Sequence, residues 1–110
     1  MLQYNAEIHI MAKKFDGVIE AVRFKDGQIV EVRAFERRGA AFSDRIMIPR
    51  EMLLDRLKDG KKFVVGQRTE FLAGTFEAGK PVQLVSRNGN EFISTRSDGE
   101  RDELEQVPFF

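Results

Sequence analysis

Apolar and polar residues alternate with a period of two over most of the chain, and one short stretch breaks into helical spacing. The clearest alternation runs from Val18 to Arg38, VIEAVRFKDGQIVEVRAFERR, and predicts two strands joined at Asp26-Gly27, a strong hairpin signal. A two-residue turn opposes Phe24 with Ile29, Arg23 with Val30, Ala21 with Val32, Glu20 with Arg33 and Ile19 with Ala34. One face then carries Ile19, Ala21, Val30, Val32 and Ala34. The other carries a Glu20–Arg33 ion pair with Val22, Phe24, Glu31 and Phe35. A three-residue turn with a bulge sets Glu20 against Val32 among apolar neighbours, where an unpaired carboxylate is costly, so the first register is favoured. The second strand shows an outer row of Arg33, Phe35 and Arg37, followed by Arg38.

The rest of the chain adds short elements around this hairpin. Residues 3–15 alternate as a strand, with His9, the only histidine, on the more polar row. A loop of small residues at 39–44 surrounds Phe42. That ring either folds back onto the core or belongs to a flexible finger beside Arg37, Arg38 and Arg45 that closes over a bound strand. Arg45 to Ile48 reads as a strand with Ile46 and Ile48 on one side. Pro49 then opens a helix over residues 50–58, with Met52, Leu53, Leu54 and Leu57 on one stripe and Gly60 as the stop. Strands follow over residues 61–76, interrupted at Gly66 and Gly74, which implies bulges or sharp bends. A second hairpin turns at Asn88-Gly89 and pairs Val85 with Phe92, Leu84 with Ile93 and Val82 with Thr95. Bent strands with glycine corners predict a mainly β fold, a small closed or partly open barrel with one short α-helix near 49–59. Residues 97–110 lack periodicity and are expected to be a flexible acidic tail on a domain spanning residues 1–96.

Composition refines this picture. A chain of 110 residues with 42% apolar and 33% charged residues makes one soluble domain with a modest core. No apolar run approaches a membrane span, the N-terminus lacks a secretory layout, and there is no cysteine. A cytoplasmic protein without membrane contact is expected. The formal net charge of zero conceals an asymmetry: residues 1–96 hold 17 Lys and Arg against 13 Asp and Glu, while residues 97–110 hold one against five. A tail of −4 can therefore lie over a body of +4 and compete with a polyanion. Glu100, Asp102, Glu103 and Glu105 lack the order and central glycine of a calcium loop, the serines lack a nucleophile-elbow context, and no two carboxylates sit in a hydrolytic frame. No enzyme activity, cofactor or metal is expected.

Basic and aromatic residues do stand together. Arg23, Arg33, Arg37, Arg38, Arg45 and Arg68 come from consecutive β elements, with Phe15, Phe35, Phe42 and Phe71 interleaved. A cationic groove with rings on which bases stack is how single-stranded nucleic acid is held, at about 1–3 kcal/mol per stacked base. Ten phenylalanines and no tryptophan in a small β domain must also supply most of its core. The second reading is therefore a small β-barrel protein-interaction or assembly subunit, in which the Phe side of the central hairpin is a homo-oligomer interface.

The element order, the segment LLDRLKDGKKFVVGQRTEF and the C-terminal ERDELEQVPFF together resemble the OB-fold single-stranded DNA-binding proteins of bacteria. In that family a leucine-rich helix ends in glycine before a returning strand, and an acidic tail ends in a Pro-Phe tip. The resemblance implies an OB-like barrel and a tail whose Pro108, Phe109 and Phe110 dock a protein partner. By it, Phe110 enters an apolar pocket rimmed by basic residues on that partner. The chain departs from the family in having no tryptophan, Tyr4 as its only tyrosine, and no long linker before the tail.

Overall fold

The computed structural model describes residues 15–69 and 75–110. The expected strand over 3–15, His9, Tyr4, Phe71 and Gly74 therefore lie outside the described residues, apart from Phe15 at that strand's end. The central hairpin is β1 (Gly17–Lys25) and β2 (Gln28–Arg38), followed by β3 (Ala41–Phe42) and β4 (Ile46–Pro49). The helix α1 (Arg50–Lys58) leads to β5 (Phe63–Arg68) and β6 (Phe76–Pro81), and a second hairpin is made by β7 (Gln83–Arg87) and β8 (Asn90–Ser94). The larger sheet runs β3-β2-β1-β5-β6 with β4 also on β2, and it curls strongly into a half-barrel. The fold is a small, partly open β-barrel, mainly β, with one short helix. Among the described residues no helix is long and apolar enough to cross a membrane.

Turn chemistry sets both hairpins. Asp26 and Gly27 adopt φ of 53° and 79°, and Asn88 and Gly89 adopt 53° and 81°, the left-handed pair that matches the twist of the flanking strands. Beyond the first turn the register departs from strict opposition. Phe24 pairs with Ile29 as expected, but Arg23 pairs with Glu31, Val22 with Val32 and Ala21 with Arg33, before Ile19 returns to Ala34. Val30 is the extra residue on β2 and Glu20 the extra residue on β1, so two bulges compensate. The physical reason is burial: the shift puts Val22, rather than Ala21, opposite Val32, and both valines join Ile19, Ile29 and Ala34 in the main core. The second hairpin keeps the expected pairs Val85–Phe92 and Leu84–Ile93. A bulge also falls between Val64 and Gly66, where a β-carbon on Gly66 would lie 2.4 Å from the Glu77 carbonyl oxygen.

The helix occupies the expected span, with Pro49 extended at its start. Leu53 is fully buried and Leu54 and Leu57 pack against the core. Met52 departs from the expected stripe and faces solvent, so the buried face is narrower than its neighbours in sequence imply.

Residues 97–110 are not a free tail. Leu104 and Val107 are buried in the main core, and Asp102 is buried with them. Asp102 Oδ2 accepts from the Ile29 N–H at 2.8 Å and Oδ1 from the Ile93 N–H at 2.9 Å, and both oxygens pair with Arg50. Arg50 in turn donates to the carbonyls of Ile29 and Glu91. The segment runs parallel to β8 at Ser94–Glu103 and to β1 at Val22–Phe109. The correction has a plain cause: two strand ends inside the fold have N–H groups to satisfy, and one carboxylate supplies both acceptors.

Candidate functional site

On β2, Glu31, Arg33, Phe35 and Arg37 point away from the main core, as alternation requires. That outer face has its own apolar layer. Phe15, Val18 and Phe35 are buried there, with Phe42, Val64 and Phe76 packed around them. Phe35 is 0% exposed and lies 5.1 Å from the Phe76 ring. Its expected role as an open stacking platform is thus corrected: the ring is core, covered by β6 and by arginines. Phe42 is half-buried, 5.7 Å from Phe15 and 4.8 Å from Phe76, so the loop ring folds back onto the sheet.

Above the rings lies a layer of guanidinium groups. Arg68 sits 4.3 Å and Arg45 5.4 Å from the Phe35 centroid, and Arg37 lies 4.7 Å from that of Phe42. Arg23 and Arg33 stand 4.7 and 5.2 Å from the Phe110 ring. Each such contact contributes about 0.5–1 kcal/mol at exposed sites and orders the flat cation. Arg37 Nε also donates to the Phe15 carbonyl at 3.0 Å, and Arg68 reaches the Ser43 carbonyl and Asp44. Arg38 is exposed beside the β3 turn. Five of the six arginines picked out by sequence, with Phe35 and Phe42, therefore belong to one continuous surface, in two layers: rings beneath, cations above.

The acids are arranged differently from the expected acidic strap. Glu20 accepts from Arg33 at 2.8 Å and from Arg45 at 2.6 Å. The expected Glu20–Arg33 pair is present even though the bulge places Ala21 opposite Arg33. In the C-terminal segment, Glu105 pairs with Lys80 at 2.5 Å and Glu103 lies 3.9 Å from Arg101, while Asp102 is held by Arg50. Only the tip reaches the cationic face. Pro108 accepts from the Val22 N–H and Phe110 donates to the Val22 carbonyl, both at 3.0 Å. This places Phe110 against Arg23 and Arg33 and leaves Phe109 74% exposed, its ring 5.1 Å from Phe24. Among the described residues no group of three His, Cys, Asp or Glu side chains is placed to hold a metal ion.

Sequence reasoning missed Phe76 as the ring that joins Phe15, Phe35 and Phe42, and Arg45 as the second partner of Glu20. No local pattern announces either, because both depend on which strands become neighbours. Comparison with protein-family models, curated proteins and solved structures finds no match to this chain.

Proposed function

We propose that this protein is a non-enzymatic, cytoplasmic module that binds single-stranded nucleic acid. The single observation that carries the reading is the layer of guanidinium groups held over rings on one face of the sheet. A guanidinium fixed by a ring beneath it keeps its outer plane and N–H edge for a ligand. Planes of this kind stack on unpaired bases, and the edges hold phosphates. Phe35 is sealed and Phe109 leans on Phe24 at the main-core side of β1, so base stacking falls to the guanidinium planes themselves. The resemblance to OB-fold single-stranded DNA-binding proteins supports the same reading. The C-terminal tip, Pro108 to Phe110, has the second role of docking a protein partner, and it competes with the ligand through its aromatic end. Deleting residues 97–110 removes Asp102, Leu104 and Val107 from the core, so point changes are the proper test. Fluorescence anisotropy with a labelled oligo-dT at 20–200 mM salt should show binding that weakens steeply with salt, by the release of counterions. Replacing Arg23, Arg38 and Arg45 together by Gln should abolish it. Absence of binding at the lowest salt overturns the reading.

A second reading, an assembly subunit that forms homo-oligomers, is favoured by one feature. An apolar groove of about 340 Å³ runs beside exposed β6, with Phe63, Val64, Pro81 and Val82 in its walls. A salt-insensitive oligomer by light scattering, with no affinity for oligo-dT, supports that reading instead.

A further inference from the structure

Glu20 sits where the alternation of the sheet is broken. It is the unpaired residue of the β1 bulge, and its carboxylate emerges on the outer face. One oxygen, Oε2, accepts from the Nε of both Arg33 and Arg45. The Glu20 side chain is 9% exposed, whereas the two arginine side chains are 38% and 58% exposed. Arg37 and Arg68 are committed elsewhere, to Phe15 and to Ser43 and Asp44. Two guanidinium groups converging on a single oxyanion is the arrangement that holds a phosphate.

A cleft of about 510 Å³ adjoins this cluster, bounded by Glu20, Arg33, Gln67, Glu77 and Gln106 and by the backbone at Gly66 and Gly79, with Gln67 donating to Glu77 at 3.4 Å. Both glycines are required by the close approach of β5 and β6 at the edge of the cleft. A β-carbon at Gly79 would lie 3.1 Å from Val65, and one at Gly66 would collide with the Glu77 carbonyl. The volume lies within the range of small-ligand sites, and the two amides supply hydrogen-bonding groups of both kinds.

We propose that Glu20 is an internal stand-in for a backbone phosphate. A phosphate of the bound strand takes over Arg33 and Arg45, and the attached nucleotide enters the cleft. This rests on the nucleic-acid reading above and adds a specific site and a built-in competitor to it. Glu20 lowers the affinity of the resting protein because its displacement leaves a carboxylate without its partners.

The test compares Glu20→Gln with Glu31→Gln in oligo-dT titrations across a range of salt. Both remove one negative charge from the same face, but among the described residues Glu31 has a single, longer contact of 3.6 Å, to Arg23. Glu20→Gln should raise affinity about five- to tenfold at low salt and steepen the slope of log K against log salt by about 0.7 for each guanidinium gained by phosphate. Glu31→Gln should change affinity less than about twofold. Arg45→Gln, at an exposed position, should weaken binding about fivefold and should cancel the gain when combined with Glu20→Gln. Equal effects of the two Glu variants, or no effect of Arg45→Gln, overturn the proposal while leaving the broader reading intact. If neither wild type nor Glu20→Gln binds at 20 mM salt, the broader reading falls and this one with it. Should Glu20→Gln melt early by circular dichroism, Arg45→Gln alone decides the matter.

Discussion

Two carboxylates in this molecule each gather arginine, and they do opposite work. Asp102, with its side chain 1% exposed, is enclosed by Arg50 and by two main-chain N–H groups from strands far apart in sequence. Every acceptor site is used, and Arg50 spends its other N–H groups on carbonyls of β2 and β8. Among the described residues Glu20 has two arginines and no main-chain donor, and both arginines have solvent on one side. A buried, fully satisfied pair closes a fold, because removing either partner strands a charge. A pair whose cations face solvent contributes less to stability and leaves those cations free to exchange partners. Burial and main-chain donors, rather than ion-pair length, separate the clasp from the site.

The largest expected effect lies at the clasp. Asp102→Ala should cost about 3–5 kcal/mol in urea unfolding, since Arg50 loses its counter-charge and two N–H groups lose their acceptor. A loss below about 1 kcal/mol would show that the C-terminal segment is not part of the core. Leu104→Ala should follow at about 2–5 kcal/mol by cavity formation, a cost that a flexible tail would never register. At the outer face the scale drops. Phe110→Ala should leave the melting temperature nearly unchanged yet raise oligo-dT affinity about twofold, because its ring covers Arg23 and Arg33. Equal affinity of the variant would show that the C-terminal tip does not compete with the ligand.

The smallest effect belongs to a third acid, Asp98. Its carboxyl is held below the usual range by the hydrogen bond and charge of Arg96, whose own pKa is raised in return. A depressed folded-state pKa means the contribution is present above the ordinary carboxylate range and is lost as pH falls through the folded value. Because both groups are exposed to solvent, Asp98→Asn should not shift the thermal midpoint measurably at pH 7 or in mild acid.

Much of the architecture was legible in the chain. Asp26-Gly27 and Asn88-Gly89 demand left-handed turns, Pro49 and the leucines place α1, and Gly66 marks a strand distortion. The site was half legible. Alternation put Arg33, Phe35 and Arg37 on one side of β2, but nothing nearby in sequence says what covers that side. Phe15, Phe42 and Phe76 reach it from three other segments, and so a ring read as open is sealed. The C-terminal segment departs from its expected freedom for a related reason. Asp102, Leu104 and Val107 form no period, and the partners of Asp102 lie 9 to 73 residues away.

By itself, then, the sequence determined where the chain turns, which stretches extend, where the one helix forms and which side of β2 carries its arginines. These are outcomes of backbone sterics and neighbouring side chains. Tertiary structure alone decided the two compensating bulges, the burial of Phe35, the convergence of Arg33 and Arg45 on Glu20 and the capture of Asp102. Each of those depends on satisfying buried polar groups and filling space between segments that meet only after the sheet has curled.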